Sequence, residues 1–133
     1  MLEVLIERIK EISGMECKCT FVNDNNYMAL LGSGGRFILE PESQESRTIG
    51  ISHRKEKTRK VRLFYGKMNN PEIGPLKEVK WIENFLDELE KDRELLKHII
   101  NLDHYYTVHN EKNKETDRTG LVTFEINIDI KER

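Results

Sequence analysis

The sequence predicts an α+β domain: an antiparallel sheet of about five to seven short strands, with an N-terminal helix and one long helix in the C-terminal half packed on one face. Hydrophobic residues recur at helical spacing at the N-terminus and again in the second half of the chain. Between and after these segments they alternate with polar residues, as in half-buried strands. The length of 133 residues fits one domain covering residues 1–133.

The N-terminal helix is predicted over residues 1–13. Five apolar residues fall on one stripe of this segment, and Gly14 follows at the position where helices commonly end. A helix of this length is marginal alone, so it is expected to pack against the rest of the domain. The stripe comprises Leu2, Leu5, Ile6, Ile9 and Ile12.

A run of short strands with turn-length connections is predicted after this helix. Residues 23–26 and 32–35 are rich in Asn, Asp and Gly, which accept turn conformations. Pro41 is expected to end a strand, 42–46 to form a polar loop and 53–58 to form a charged connector. Consecutive strands of this kind favour an antiparallel meander. The predicted strands are 17–22, 27–31, 36–40, 47–52 and 59–65.

The second half of the chain predicts a long helix and a final hairpin. The helix begins at Pro75, and it either runs unbroken to Asn101 or breaks near Asp92. Its apolar stripe is expected to cover one face of the sheet. In the hairpin, His104–His109 pairs with 122–131, the segment with the most regular alternation in the sequence.

Composition and cysteine usage predict a cytoplasmic protein. The sequence has no run of about 18 apolar residues, so no membrane span is expected. Acidic residues near the N-terminus do not match a signal peptide. Cys17 and Cys19 are predicted to be small core residues on one face of a strand, and neither a disulfide nor a zinc site is expected from them. The sequence predicts no metal and no cofactor.

The charge of the chain is distributed unevenly. Between Arg47 and Asn70 there are eight basic residues and one acidic residue, although the whole chain carries a net charge of −2. Concentrated charge of one sign favours binding to a partner of the opposite sign. If 47–52 pairs with 59–65, the candidate ligand-binding residues lie at or beside the tip of a hairpin. They are Arg54, Lys55, Lys57, Arg59, Lys60 and Arg62.

The function favoured by this pattern is that of a small non-catalytic binding protein. Its basic hairpin would engage an anionic partner, either a nucleic acid, a nucleotide or an acidic protein surface. The competing interpretation is that the acidic helix segment 83–94 neutralises the hairpin. A homodimer formed through an exposed strand such as 122–130 also stays open, as does internal coverage of that strand.

Two alternatives belong to other classes. The first is a protein–protein inhibitor, such as an immunity factor or a phage counter-defence factor, which would act on a host or toxin protein through its acidic surfaces. The second is a metal-dependent nuclease in which Glu125 and Asp129 hold the metal and Lys131 orients water. His104 and His109 are spaced poorly for a shared metal ion, and no third ligand accompanies them.

Overall fold

A five-stranded sheet with helices against one face makes up the part of the chain that the computed structural model describes, residues 1–22, 34–50, 54–69, 74–112 and 120–133. Within these residues, no helix is long and apolar enough to cross a membrane. The helices are α1 (Leu2–Ser13), α2 (Leu76–Glu90) and α3 (Arg93–Leu96). The strands are β1 (Glu16–Cys19), β2 (Gly34–Ile49), β3 (Arg54–Asn69), β4 (Ile99–Lys112) and β5 (Gly120–Glu132).

The predicted α+β class is confirmed, but the sheet is mixed and not purely antiparallel. The strand order is β1-β2-β3-β5-β4, and the described residues contain five strands. β1 runs parallel to β2, with Cys17 opposite Phe37, whereas the other neighbouring strands are antiparallel. Side chains alternate in the same way in parallel and antiparallel strands, so the sequence pattern does not distinguish the two kinds of pairing. The predicted strand 27–31 lies outside the described residues.

β2 and β3 are much longer than predicted. The segment 42–46, predicted as a loop, belongs to β2, and most of the predicted connector 53–58 belongs to β3. Pro41 does not end the strand, because β2 shifts its register by one residue between Pro41 and Ser43. Such a bulge accommodates a proline, and β1 pairs with β2 only as far as Leu39, so Pro41 lies beyond that pairing.

The long helix breaks near Asp92, which was one of the two predicted courses. Asp92 has an extended backbone, and its carboxylate accepts a hydrogen bond from the Leu95 amide at 3.0 Å, so it caps α3. α3 is short, and β4 already begins at Ile99. The predicted strand His104–His109 is therefore the middle of a longer strand.

The two faces of the sheet differ in their packing. One face, called the helix face, forms a single apolar core with the helices, which include the predicted stripe residues Leu5 and Ile9 at 0% exposure. The opposite face is called the second face; Ile38, Phe64, Gly66 and Thr123 are its buried residues within the described strands. The core residues of the strands are Cys17 of β1, Phe37 and Leu39 of β2, Val61, Leu63 and Tyr65 of β3, Ile99 and Leu102 of β4, and Val122, Phe124, Ile126, Ile128 and Ile130 of β5.

β5 lies inside the sheet, between β3 and β4. Of the two outcomes expected for 122–130, internal coverage is therefore the one observed, and this strand offers no edge to a second copy. A central position also explains its regular sequence, because strand positions packed against helices on one face require alternating apolar side chains.

Candidate functional site

The basic residues lie at the end of the sheet where β2 and β3 extend beyond their neighbouring strands. β5 pairs with β3 only from Lys57 onward, and β1 pairs with β2 only as far as Leu39. Residues 43–49 and 54–60 pair with each other one to one, and they are called the basic ribbon. The two strands that carry the basic residues pair antiparallel, but they are longer than predicted and begin and end elsewhere, and the predicted hairpin turn lies partly outside the described residues.

Strand geometry divides five of the six predicted ligand-binding residues between two faces. Side chains alternate along a strand, so Lys55, Lys57 and Arg59 share the helix face, while Lys60 and Arg62 lie on the second face. Arg54 pairs with Ile49 through its backbone, and the Arg54 side chain is not among the described side chains. The six residues therefore do not form one surface.

Arg59 is held by an acidic residue of the neighbouring strand. Its Nε donates to Oε1 of Glu132 at 3.0 Å, and the other oxygen of Glu132 accepts from Gln44 Nε2 at 3.1 Å. The Glu132 side chain is only 8% exposed. Lys57 lies directly across from Glu132, but it has no ion pair among the described residues; the two oxygens of Glu132 accept from Arg59 and Gln44.

Arg62 and Glu56, the one acidic residue between Arg47 and Asn70, each have partners of opposite charge within the sheet. Arg62 approaches Glu40 and Glu42 at 3.6 Å each. Glu56 accepts from Lys131 Nζ at 2.8 Å, and this hydrogen bond lowers the pKa of the Glu56 carboxyl. The acids that offset the basic segment thus come from the sheet itself.

The acidic helix does not contribute an ion pair to the basic ribbon within the described part of the chain. Its acids have local partners instead. Asp92 binds Arg8, Glu94 binds Lys97, Glu90 lies 3.6 Å from His104, and the Glu83 carboxylate accepts from the Tyr106 hydroxyl at 2.6 Å. Among the described residues, the predicted neutralisation of the hairpin by this helix is therefore not observed as ion pairs.

A cationic strip remains on the helix face of the ribbon, where the neighbouring acid, Glu132, is already paired with Arg59. Lys55 lies directly opposite Thr48, and Lys57 lies directly opposite Ser46. All four side chains are exposed, and neither lysine has an ion pair among the residues described. These four residues are called the lysine strip. They combine two ammonium groups with two hydroxyl groups, the donors that contact phosphate oxygens in nucleic-acid complexes.

The second face of the ribbon has a mixed charge. Lys60 stands between Ser43 and Asp129, and Asp103 follows Asp129 on β4 in the same row. An anion approaching Lys60 would therefore meet two carboxylates beside it. This difference between the faces makes the lysine strip, and not the whole hairpin, the stronger candidate surface.

The predicted nuclease residues lie on one face but far apart. Glu125 and Asp129 are four residues apart along β5, which separates their Cα atoms by about 13 Å. Lys131 is paired with Glu56, and Glu125 lies 3.8 Å from His109. Within the described ranges, no three His, Cys, Asp or Glu side chains are grouped closely enough to hold a metal ion.

A cavity that the sequence did not indicate lies between α2 and the end of β3. Glu78 in its wall is buried, and Trp81, Lys77 and Lys80 of the same helix also line it. A glutamate in the first turn of a helix is common, because it interacts favourably with the helix dipole, so its type and position gave no signal of a site.

The fold and these surfaces define an α+β protein with a five-stranded mixed sheet, helices on one face and a cationic ribbon at one end. Comparison with models of known protein families gives no match, and comparison with curated proteins gives none either.

Proposed function

We propose that this chain is a small non-catalytic binding protein that engages nucleic acid through the lysine strip. The observation that carries the proposal is the pair Lys55 and Lys57, which are exposed beside Ser46 and Thr48 and have no ion pair among the described residues, since the neighbouring Glu132 is paired with Arg59. Phosphate groups are bound by this combination of lysine and hydroxyl donors. A free nucleotide or an acidic protein surface would use the same charges, so the experiment must separate these partners.

Salt dependence gives the most direct measure of phosphate contacts. Binding of labelled single-stranded and duplex oligonucleotides is followed by fluorescence anisotropy over a salt series. Each phosphate contact contributes about 0.7 to 0.9 to the slope of log affinity against log salt. The double variant Lys55→Glu with Lys57→Glu should therefore lower the slope by about 1.4 to 1.8 and weaken binding at least tenfold at low salt.

A matched control changes the same charge elsewhere. Lys10 on α1 and Lys18 on β1 are both exposed, and the variant Lys10→Glu with Lys18→Glu carries an identical change in net charge. It should bind as tightly as the unmodified chain, apart from a small long-range effect. Equal losses in the two double variants would refute a local contact at the lysine strip.

Lys60→Glu tests the difference between the two faces. It changes one charge of the same ribbon, but on the face where Asp129 and Asp103 already lie. We expect a smaller loss than for Lys57→Glu, which carries an equal charge change. An equal or larger loss for Lys60→Glu would place the contact surface on the second face and overturn the proposal in this form.

Protein capture from the source cells, with and without nuclease treatment, separates the remaining classes. If the chain binds nucleic acid, nucleic acid should be captured together with it. Proteins captured through that nucleic acid should then be lost after nuclease treatment. A stable protein complex that resists nuclease, with no oligonucleotide binding at low salt, would favour the inhibitor class. Magnesium-dependent cleavage lost in Asp129→Ala would favour the nuclease class.

A further inference from the structure

The cavity beside α2 has the volume of a small ligand site. It encloses about 270 Å³, close to the lower end of pockets that bind small molecules. Its wall is formed by the first half of α2, the end of β3 and the residue before β1. The lining residues are Met15, Tyr65, Lys67, Lys77, Glu78, Lys80, Trp81 and Asn84.

Glu78 is a buried carboxylate with an unused acceptor. The residue is 7% exposed, and its Oε2 has no hydrogen-bond partner among the described residues. Its place in the first turn of α2 favours a negative charge, but it does not supply the missing hydrogen bond. The terminal torsion of a glutamate is soft, so a rotation of the carboxyl group presents either oxygen to the cavity. A ligand with an N–H donor would satisfy this group.

Two aromatic rings give the cavity an apolar wall. Trp81 and Tyr65 are stacked, with ring centroids 5.2 Å apart and planes inclined by 24°. Burial raises the pKa of the Tyr65 hydroxyl, and the nearby Glu78 carboxylate raises it further. Tyr65 is buried, whereas Trp81 is partly exposed. A flat ring fits such a wall, because aromatic side chains provide a stacking platform for bases.

Three exposed lysines surround this acidic and aromatic interior. Lys67 comes from β3, and Lys77 and Lys80 come from α2. None of the three has an ion pair within the part of the chain that is described. They favour an anionic group on the ligand and disfavour a simple cation such as a polyamine, which would be repelled at the rim.

We propose that this cavity binds a free mononucleotide whose base carries an amino group, with guanine favoured. The base would stack on Trp81, its N–H edge would donate to Glu78, and its phosphate would contact the rim lysines. Guanine is favoured because its ring N–H and amino group are adjacent donors, which match the two oxygens of one carboxylate. A simple dicarboxylate would contact the lysines but would leave Glu78 without a donor.

The site is separate from the lysine strip. Lys57 and Lys67 are ten residues apart on β3, which is roughly 33 Å along the strand. Failure of either proposal therefore leaves the other intact, because variants at one end of the strand do not touch the other end.

Trp81 is the only tryptophan in the chain, so a proton–nitrogen correlation NMR spectrum contains a single indole N–H resonance. The full chain is titrated with GMP, AMP, CMP, UMP and ribose 5-phosphate, and affinities are measured by calorimetry. We expect GMP to shift the indole signal and to bind most tightly. UMP, with one N–H between two carbonyl acceptors, and ribose 5-phosphate, with no base, should bind at least tenfold more weakly.

Two variants separate the base contact from the phosphate contact. Glu78→Gln should weaken GMP binding about tenfold, as expected for loss of one hydrogen bond to a charged group, and should leave ribose 5-phosphate unchanged. Lys77→Ala with Lys80→Ala should weaken the binding of both GMP and ribose 5-phosphate. Glu78→Asp, which keeps the charge but withdraws the carboxylate, should also weaken GMP binding. Melting curves establish that each variant is folded.

The control is Lys10→Ala with Lys18→Ala, a change at two exposed lysines that do not line the cavity, and this variant should bind GMP as the unmodified chain does. Three results would each overturn the proposal: no indole shift at millimolar GMP, equal affinities for GMP and ribose 5-phosphate, or unchanged GMP affinity in folded Glu78→Gln and Glu78→Asp.

Discussion

Arg8 of α1 donates two hydrogen bonds to Asp92, at the break between α2 and α3. Its Nε lies 2.8 Å from Oδ2 and its second guanidinium nitrogen lies 3.0 Å from Oδ1, so the contact is bidentate. The same carboxylate caps α3 by accepting from the Leu95 amide. One side chain therefore joins the N-terminal helix to the point where the long helix ends.

Asp92→Ala should destabilise the protein more than Arg8→Ala. The aspartate substitution removes both the ion pair and the cap, and loss of a cap alone costs about 1 kcal/mol. The arginine substitution removes the ion pair only. Urea denaturation of the two single variants and the double variant gives the coupling between the residues. Strictly additive losses would contradict a direct interaction.

Glu132→Gln should destabilise the protein by about 1–3 kcal/mol, because Arg59 would lose the carboxylate that accepts its hydrogen bond at the core edge. The matched control is Glu94→Gln, which removes an equal charge from an exposed pair with Lys97. Exposed pairs contribute little, so the control should unfold like the unmodified chain. Similar midpoints for both variants in urea would contradict the structural role of Glu132.

Acid should destabilise the protein partly through Glu56. The hydrogen bond from Lys131 lowers the pKa of this carboxyl from its ordinary value of 4.5 in the folded state. A lowered folded pKa gives stability that is present above 4.5 and is lost as the pH falls below it. Glu56→Gln and Lys131→Gln should each make this loss less steep in urea denaturation at several pH values. An unchanged steepness in both would show that the pair contributes nothing to acid sensitivity.

The two cysteines should differ sharply in reactivity. Cys17 is buried in the core, and burial raises the pKa of its thiol to about 12, whereas Cys19 is exposed. A thiolate-specific reagent should therefore modify one thiol of the folded chain rapidly and the second only after unfolding. Cys19→Ser should abolish the rapid phase. Rapid modification of that variant would mean that Cys17 is accessible.

Secondary structure was predictable where periodicity is strong. The N-terminal stripe predicted α1 almost to the residue, and alternation in 122–131 predicted β5, because these patterns directly reflect which side chains face the core. The break at Asp92 was predicted only as one alternative. A capping residue inside an apolar stripe does not by itself decide whether the helix continues.

Strand lengths were less predictable. Residues 42–46 are polar and exposed, so they lack the alternation by which a half-buried strand is recognised. They form a strand because β3 supplies backbone partners for them, and Pro41 is accommodated by a bulge. Such pairing depends on a distant segment and leaves no local signal.

By itself, the sequence determined that this protein has helices with one apolar stripe, strands with one apolar face and a concentration of positive charge before residue 70. Only the tertiary structure decided that β1 is parallel to β2, that β5 is central, and that five of the six basic candidates are divided between two faces with different neighbours. It also placed Glu78 beside Trp81 and three lysines. The reason is that local patterns record whether a side chain is buried, whereas strand order and register decide which buried and charged groups meet.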